Sequence, residues 1–311
     1  MAHNSKKKFI GWSSFETYKA FYLFWIPIYK KTSLKSILSA IKGMRAELDS
    51  VTKKMGHPGL SSPSANVLEA IKEINWQLET IKEVSLPALI HHPTVFPKYK
   101  GLHKGQDLVL VGAGPTLDQY TPIPGAFHIG VNRVFQATHV PLDYLFIADG
   151  GTIESQQLLD YRKNECVKFF GRHRVYPIME TFADDCKAER FFIDPLRPGA
   201  THNNIFKDLA HQPFVYCYSI IIAAFQFALW CQPKRLYVVG CDAANNGYFS
   251  GDTRDTKQWL NENIIKEWHT VAEFAKKHYP DIEIISINPV GLKGLFKDAT
   301  MTNGIIELSS K

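Results

Sequence analysis

Residues 107–120 read DLVLVGAGPTLDQY, an apolar run that passes directly into Gly112-Ala113-Gly114-Pro115-Thr116. A continuous apolar run of this length, rather than an alternating one, is what a strand covered on both faces requires. A glycine pair at its end allows a tight turn and lets backbone approach an anion. The same pattern recurs in AFHIGVN (126–132), LDYLFIAD (142–149), CVKFFG (166–171), RLYVVGCD (235–242) and IEIISINP (282–289). Between the later runs lie helical stretches at 219–230 and 259–279. The second sets Leu260, Ile264, Trp268, Val271 and Ala275 on one face, with Glu262/Lys266 and Glu273/Lys277 pairs outside. This alternation predicts an α/β fold, a single Rossmann-like domain with a mostly parallel sheet over residues 101–311.

The first hundred residues differ in character. Leu34, Ile37, Ile41, Met44, Leu48, Val51 and Met55 follow Ser33 at gaps of three and four, the seam of a heptad repeat. After the break GHPGLSSPS, a second seam runs through Val67, Ile71, Ile74, Leu78 and Ile81 and is expected to end before Pro87. Residues 33–100 thus read as a helical, coiled-coil-like region, forming a hairpin, a homo-oligomeric coiled coil or helices packed on the main domain. Residues 1–32 form a basic aromatic arm. Within it, 15–31 interleave Phe15, Tyr18, Phe21, Tyr22, Phe24, Trp25 and Tyr29 with Lys19, Lys30 and Lys31. That mixture suits the headgroup layer of an anionic membrane, or else a hydrophobic arm folded on the body. FYLFWIPIY (21–29) is too short to cross a bilayer and contains a proline, so a peripheral rather than integral association is expected.

Composition narrows the class. The 311-residue chain is 45% hydrophobic and 21% charged, with a net charge of +6. The charge permits attraction to phosphates or anionic lipid, but no continuous basic stripe suggests nucleic acid. Cys166, Cys186, Cys217, Cys231 and Cys241 are odd in number and never spaced C-x-x-C, which argues against a disulfide framework or structural zinc and suits a reducing cytoplasm.

Ligands of open α/β sheets sit at the carboxyl ends of strands. After the first run come Gly112, Gly114, Pro115 and Thr116. This is not the dinucleotide fingerprint, because Leu117 occupies the last glycine position, and it lacks the P-loop lysine. After the second come Asn132 and Arg133, after the third Asp149 with Gly150-Gly151. After the fifth come Gly240-Cys241-Asp242 and then Asn245-Asn246-Gly247-Tyr248. The convergence of polar residues after separate strands marks a candidate site.

LVLVGAGPTLD, then GVNRVF, then a long apolar helix leading to KRLYVVGCDAANNGYF together resemble the bacterial lipooligosaccharide sialyltransferase family. The wider set includes the MptE-like pterin-diphosphokinase-like domains. The resemblance spans roughly residues 105–292. It implies that Gly112, Gly114, Pro115, Thr116 and Asn132 hold the cytidine nucleotide of a CMP-activated sugar. Asp242, Asn246, Tyr248 and Ser219 (or Tyr218) are implied as further donor contacts. Departures stand beside these matches. Ala113 replaces the asparagine often found between the glycines, Asp149 stands where the family places an asparagine, and Ala244 replaces a tyrosine that assists the departing phosphate. Asn263 falls at the position of the family's catalytic histidine. His269, on the flank of that helix's apolar face, is the substitute candidate or a structural residue.

Asp149 and His269 are therefore the candidate catalytic residues, as general base, with Asp149 or Asp242 the alternative as carboxylate nucleophile. Asp242 is otherwise expected to contact a ribose or order its turn. No D-x-D pair occurs, in keeping with a monophosphate donor and no metal or other cofactor. The polar loops GRHRVYP (Arg172, His173, Arg174) and LRPGATHNN (Arg197, Thr201, His202, Asn203) offer arginines for a sugar carboxylate or are solvated surface. The expected activity is transfer of a sialic acid or Kdo-type sugar from CMP to a glycan or glycolipid acceptor, in lipopolysaccharide or capsule synthesis at the cytoplasmic face of a bacterial membrane. The alternatives are a nucleotide-dependent diphosphokinase and a non-catalytic nucleotide-binding assembly factor.

Overall fold

The computed structural model describes residues 65–148, 155–161, 165–173, 188–194, 200–216, 218–244, 247–251 and 257–309, with isolated helical positions between 43 and 53. The basic aromatic arm and every residue of the first heptad seam lie outside the described residues. The chain divides into two compact units, Met1–Leu78 and Glu79–Lys311. Residues 79–100, expected with the helical region, thus belong to the unit that holds the sheet. Helix α1 (Ala65–Thr80) carries the second seam. Among the described residues, no helix is long and apolar enough to cross a membrane.

In the second unit, helical backbone continues past Pro87, where the sequence predicts a stop. Ile81–Ser85 form a π-helical turn in which the Leu86 amide donates to the Ile81 carbonyl, and Pro87 then opens helix α2 (Leu86–Val95). Proline lacks the donor and crowds the preceding turn, and a widened turn accommodates both.

The strands are β1 (Asp107–Val111), β2 (Phe127–Val131), β3 (Tyr144–Ile147), β4 (Val167–His173), β5 (Glu189–Asp194), β6 (Phe214–Val215), β7 (Arg235–Val239), β8 (Glu283–Ile287), β9 (Lys297–Thr302) and β10 (Ile305–Leu308). They form one sheet in the order β10-β9-β8-β7-β1-β2-β3-β4-β5-β6. Neighbours are parallel except the β9–β10 hairpin, whose Asn303-Gly304 turn has both residues at positive φ. The remaining described helices are α3 (Ser155–Asp160), α4 (Ile221–Cys231) and α5 (Gln258–His278). An α/β fold with a mostly parallel sheet is as the sequence predicts. The chain runs outward from β1 to β6, then returns to place β7 on β1's other side, so strand order reverses at β1.

Leu108 to Val111 are all buried. Since successive side chains alternate faces, both faces of β1 are covered. Every residue of α4 is buried, and the helix packs on β1, β2 and β3. Its Phe227 meets Phe146 and Phe169, each at 5.1 Å, while Phe146 and Phe169 stack at 4.6 Å. Phe96, beyond α2, adds an edge against Phe214 at 5.0 Å.

Two buried polar side chains complete the far edge of the sheet. β6 has only two residues, and Gln226 of α4 serves as its missing neighbour. Gln226 Nε2 donates to the Val215 carbonyl at 2.6 Å, and its Oε1 accepts from the Val215 amide at 3.1 Å. His92 of α2 lies against the carbonyls of Leu209 (3.0 Å) and Gln212 (2.8 Å) through Nδ1, and its Nε2 accepts from the Phe192 amide of β5 at 3.1 Å. Only a neutral ring with the proton on Nδ1 satisfies all three partners. Burial pushes the His92 pKa down to about 4.

Gln226→Leu preserves volume but strands both Val215 groups, and should lower unfolding free energy by roughly 3 kcal/mol in urea titrations. For His92, the folded-state pKa lies below the unfolded value of 6.5, so its contribution is complete above pH 6.5 and falls away towards pH 4. That loss amounts to about 3 kcal/mol. Denaturant titrations of a His92→Gln variant should show a flatter stability profile across this window than the parent chain.

Candidate functional site

β1 and β7 meet at the point of reversal. At their amino ends Arg235 grips Asp107 through two hydrogen bonds, Nε to Oδ1 at 2.9 Å and the terminal nitrogen to Oδ2 at 2.6 Å. At their carboxyl ends the two backbones come together without side chains between them. A Cβ on Gly240 would lie 2.5 Å from the Gly112 carbonyl oxygen, and one on Gly112 would lie 2.8 Å from Cys241 Sγ. Gly240 also has φ +62, a left-handed conformation that glycine adopts without steric cost.

The turn after β1 is bound to the loop after β7. The Gly112 amide donates to Val239 O at 2.8 Å and the Gly114 amide to Gly240 O at 2.7 Å. The Thr116 amide donates to Asp242 Oδ2 at 3.0 Å, and the Thr116 hydroxyl donates to Asp242 Oδ1. Asp242 is only 4% exposed. Burial pushes its carboxyl above the usual carboxylate range, while the two Thr116 donors pull it back. Of the roles open to Asp242 from the sequence, the geometry displays the ordering of the turn. A sunken carboxylate already accepting two hydrogen bonds is not disposed to attack an anomeric carbon. The glycine amides read from the sequence as a phosphate cradle are engaged inside the chain.

Further contacts close the edge. The Phe249 amide donates to Ala113 O at 3.0 Å, and the Ser250 amide donates to the Asp118 carboxylate at 3.0 Å to Oδ2. Gly291 follows β8, and its amide donates to Asp242 O at 2.7 Å. At the end of β2, Asn132 takes φ +44, and its side-chain oxygen accepts from the Ala148 amide at 3.1 Å. This joins the ends of β2 and β3 one residue before Asp149. Tyr248, carried on the anchored 247–251 loop, lies over the next residue, with the Arg133 guanidinium carbon 4.9 Å from its ring centroid. Gly112, Gly114, Pro115, Thr116, Asn132, Asp242 and Tyr248 are thus gathered along one edge, while Asp149 and Asn246 lie outside the described residues.

The other described candidates are carried by α4, α5 and the loops after β5 and β6. Ser219 stands before α4, and its carbonyl accepts from the Ile222 amide at 3.1 Å. The preceding Tyr218 amide donates to both oxygens of the buried Glu267 at 3.1 Å, and the Tyr218 ring meets the exposed Trp259 ring edge-on at 6.3 Å. His269, exposed midway along α5, lines a cleft of about 180 Å³ with Gly291, Leu292, Lys293, Gly294 and Leu295. Thr201, His202 and Asn203 turn towards the last two turns of α5, where His202 Nδ1 lies 3.1 Å from Glu273 and Lys277 donates to Asn203 at 3.0 Å. Arg174 and Arg197 lie outside the described residues. Among the described residues, no group of three or more His, Cys, Asp or Glu side chains is placed to hold a metal ion.

Two features of the edge escape the sequence. The Thr116–Asp242 clasp joins residues far apart in the chain, and the Arg133–Tyr248 stack does the same. Arg133 had a signal of its own, as the cation next to Asn132, but nothing local names its partner.

No family model matches the sequence, and no curated protein matches it. Solved structures of the sialyltransferase CstII from Campylobacter jejuni do align. A complex with cytidine-5'-monophosphate is 16% identical, covering 67% of this chain and 91% of the other at a TM-score of 0.40. A complex with the substrate analogue CMP-3FNeuAc is 15% identical, covering 66% and 91% at a TM-score of 0.39. At this identity and superposition the likeness carries no argument about activity.

The clasp makes a specific prediction. A Cβ on Gly114 would lie 2.5 Å from Asp242 Oδ2 and 2.8 Å from the Gly240 carbonyl oxygen. Gly114→Ala should lower the melting temperature by several degrees, a loss of roughly 2–3 kcal/mol. Asp242→Ala removes one of the two clashing neighbours, so the double variant should lose less than the sum of the single losses in the same melting experiment.

Proposed function

We propose that this chain is a glycosyltransferase that moves an acidic sugar, of sialic acid or Kdo type, from a CMP-activated donor to a bacterial surface glycan. The observation that carries the reading is the gathering of the residues implied by the sequence resemblance, 112–116, 132, 242 and 248, at the carboxyl edge where strand order reverses. A nucleotide ligand of an open α/β sheet belongs at such a point. In this reading the β1 turn shapes the floor of the donor site and Asn132 and Tyr248 form its walls. Ser219 and Asn246 complete the donor contacts.

Asp149 follows the residue whose amide Asn132 holds, and is the group we assign to chemistry. As a general base it would take the proton of the acceptor hydroxyl while that oxygen bonds to the anomeric carbon and CMP departs with the bonding electrons. His269 is the second candidate for that role. The aromatic, lysine-bearing arm at 15–31 would bring the enzyme to an anionic membrane surface where glycolipid acceptors lie, and the heptads at 34–55 and 67–81 would pair copies of the chain.

Thermal shift with CMP, CDP, UDP, GDP and ATP, each with and without magnesium, tests the donor class. Stabilisation by CMP without added metal is expected, of about 2.7 kcal/mol at a hundredfold excess over Kd. A preference for ATP with magnesium would replace this reading with the diphosphokinase, and no response to any nucleotide would replace it with an assembly factor. Asp149→Ala should retain the CMP shift and lose sugar transfer by about a hundredfold or more.

A further inference from the structure

Two aromatic rings stand exposed at the starts of α4 and α5. Tyr218 follows β6 and precedes α4, while Trp259 lies in the first turn of α5, which runs from the loop after β7 back to the amino end of β8. A helix that links parallel strands begins on their carboxyl side, so both rings lie on the same side of the sheet as the turn after β1. Trp259 is 53% exposed and Tyr218 36%. Their planes meet at 77° with centroids 6.3 Å apart. An edge-on pair leaves ring faces uncovered that a stacked pair would bury. The corner is also held from behind. The Tyr218 amide donates to both oxygens of Glu267, a side chain only 5% exposed, and the Trp259 carbonyl accepts from the Asn263 side chain at 2.9 Å.

We propose that Trp259, braced by Tyr218, is the platform on which a neutral sugar ring of the acceptor glycan stacks. Its assignment to the acceptor rests on the glycosyltransferase reading above. A pyranose presents a face of C–H groups bounded by hydroxyls, and its complement is a single aromatic face set among hydrogen-bonding groups. That is the setting of Trp259. Glu262, Asn263 and Lys266 follow it at spacings of three, four and seven, so the same face of α5 continues in polar side chains. A lipid surface or a protein partner would instead call for a contiguous apolar patch. Among the described residues nothing accepts from the Trp259 indole N–H, so its donor is open to a sugar hydroxyl. Ser219, assigned above to the donor, is the chain neighbour of Tyr218, which sets the platform next to a donor contact. Trp259 is thus a binding residue and Tyr218 a positioning residue.

Saturation-transfer NMR titrations of the full chain with lactose and the methyl β-glycosides of galactose, glucose and N-acetylglucosamine test this, using Trp259→Ala, Trp259→Phe and Tyr218→Ala. The parent chain should bind at least one of these sugars, with saturation strongest on the C–H groups of one ring face. Trp259→Ala should weaken that sugar about tenfold and keep the parent's thermal shift with CMP. Trp259→Phe offers a smaller face without the N–H and should fall between, and Tyr218→Ala should lose several-fold. Parent-like sugar affinity of Trp259→Ala, or no binding of any of the four sugars by the parent, would overturn the platform. Parent-like sugar affinity together with lost adsorption to phosphatidylglycerol vesicles would give the ring to a lipid surface instead. Loss of the CMP shift along with the sugar would mark a general disturbance and overturn the assignment as well. Should Trp259→Ala fail to fold, Trp259→Gln carries the same comparison. Sugar binding by a parent chain that does not respond to CMP would overturn the donor reading and leave the platform as a glycan site in its own right.

Discussion

The close contact between β1 and β7 organises the molecule. Gly112 and Gly240 stand where any side chain would collide with the opposing backbone, so the strand ends converge only because both are glycine. The Arg235–Asp107 pair holds the amino ends of the same two strands, and the Asp242–Thr116 clasp holds the loops beyond their carboxyl ends. With these strands locked in register, β2 to β6 extend to one side and β8 to β10 to the other. The reversal of strand order, and with it the location of the candidate site, follows from this one contact.

The same contact changes the meaning of the glycine turn. A glycine pair after a parallel strand is commonly read as backbone offered to an anion. Here the pair is occupied in bringing two strands together, and its amides are consumed in doing so. A turn can shape a site without being its source of hydrogen bonds.

At the far edge the constraint is the backbone's own polarity. A two-residue strand such as β6 leaves amides and carbonyls without a ladder partner, and burial makes that costly. Gln226 and His92 supply the missing partners from helices. One is an uncharged amide, and the other is held neutral by its burial. These polar side chains within an aromatic core are therefore part of the sheet.

The sequence by itself determined the fold class and most of the central strands. Continuous apolar runs at β1, β2, β3, β4, β7 and β8, and the 3.6-residue periodicity of α5, are local patterns that a single segment carries. Local pattern failed at β9, where KDATMT reads as polar because only Ala299 and Met301 are buried. It failed at β6, which is too short to have a period, and at Pro87, where a widened turn rescued the helix. The candidate site divided along the same line. That Gly112, Asn132 and Asp242 end separate strands was legible from order and spacing. Only the tertiary structure decided that the glycines serve strand approach, that Asp242 faces Thr116 across 126 positions, and that Arg133 lies on Tyr248. A contact between residues so distant in the chain depends on how the strands are ordered in the sheet, and no local run of residues encodes that order.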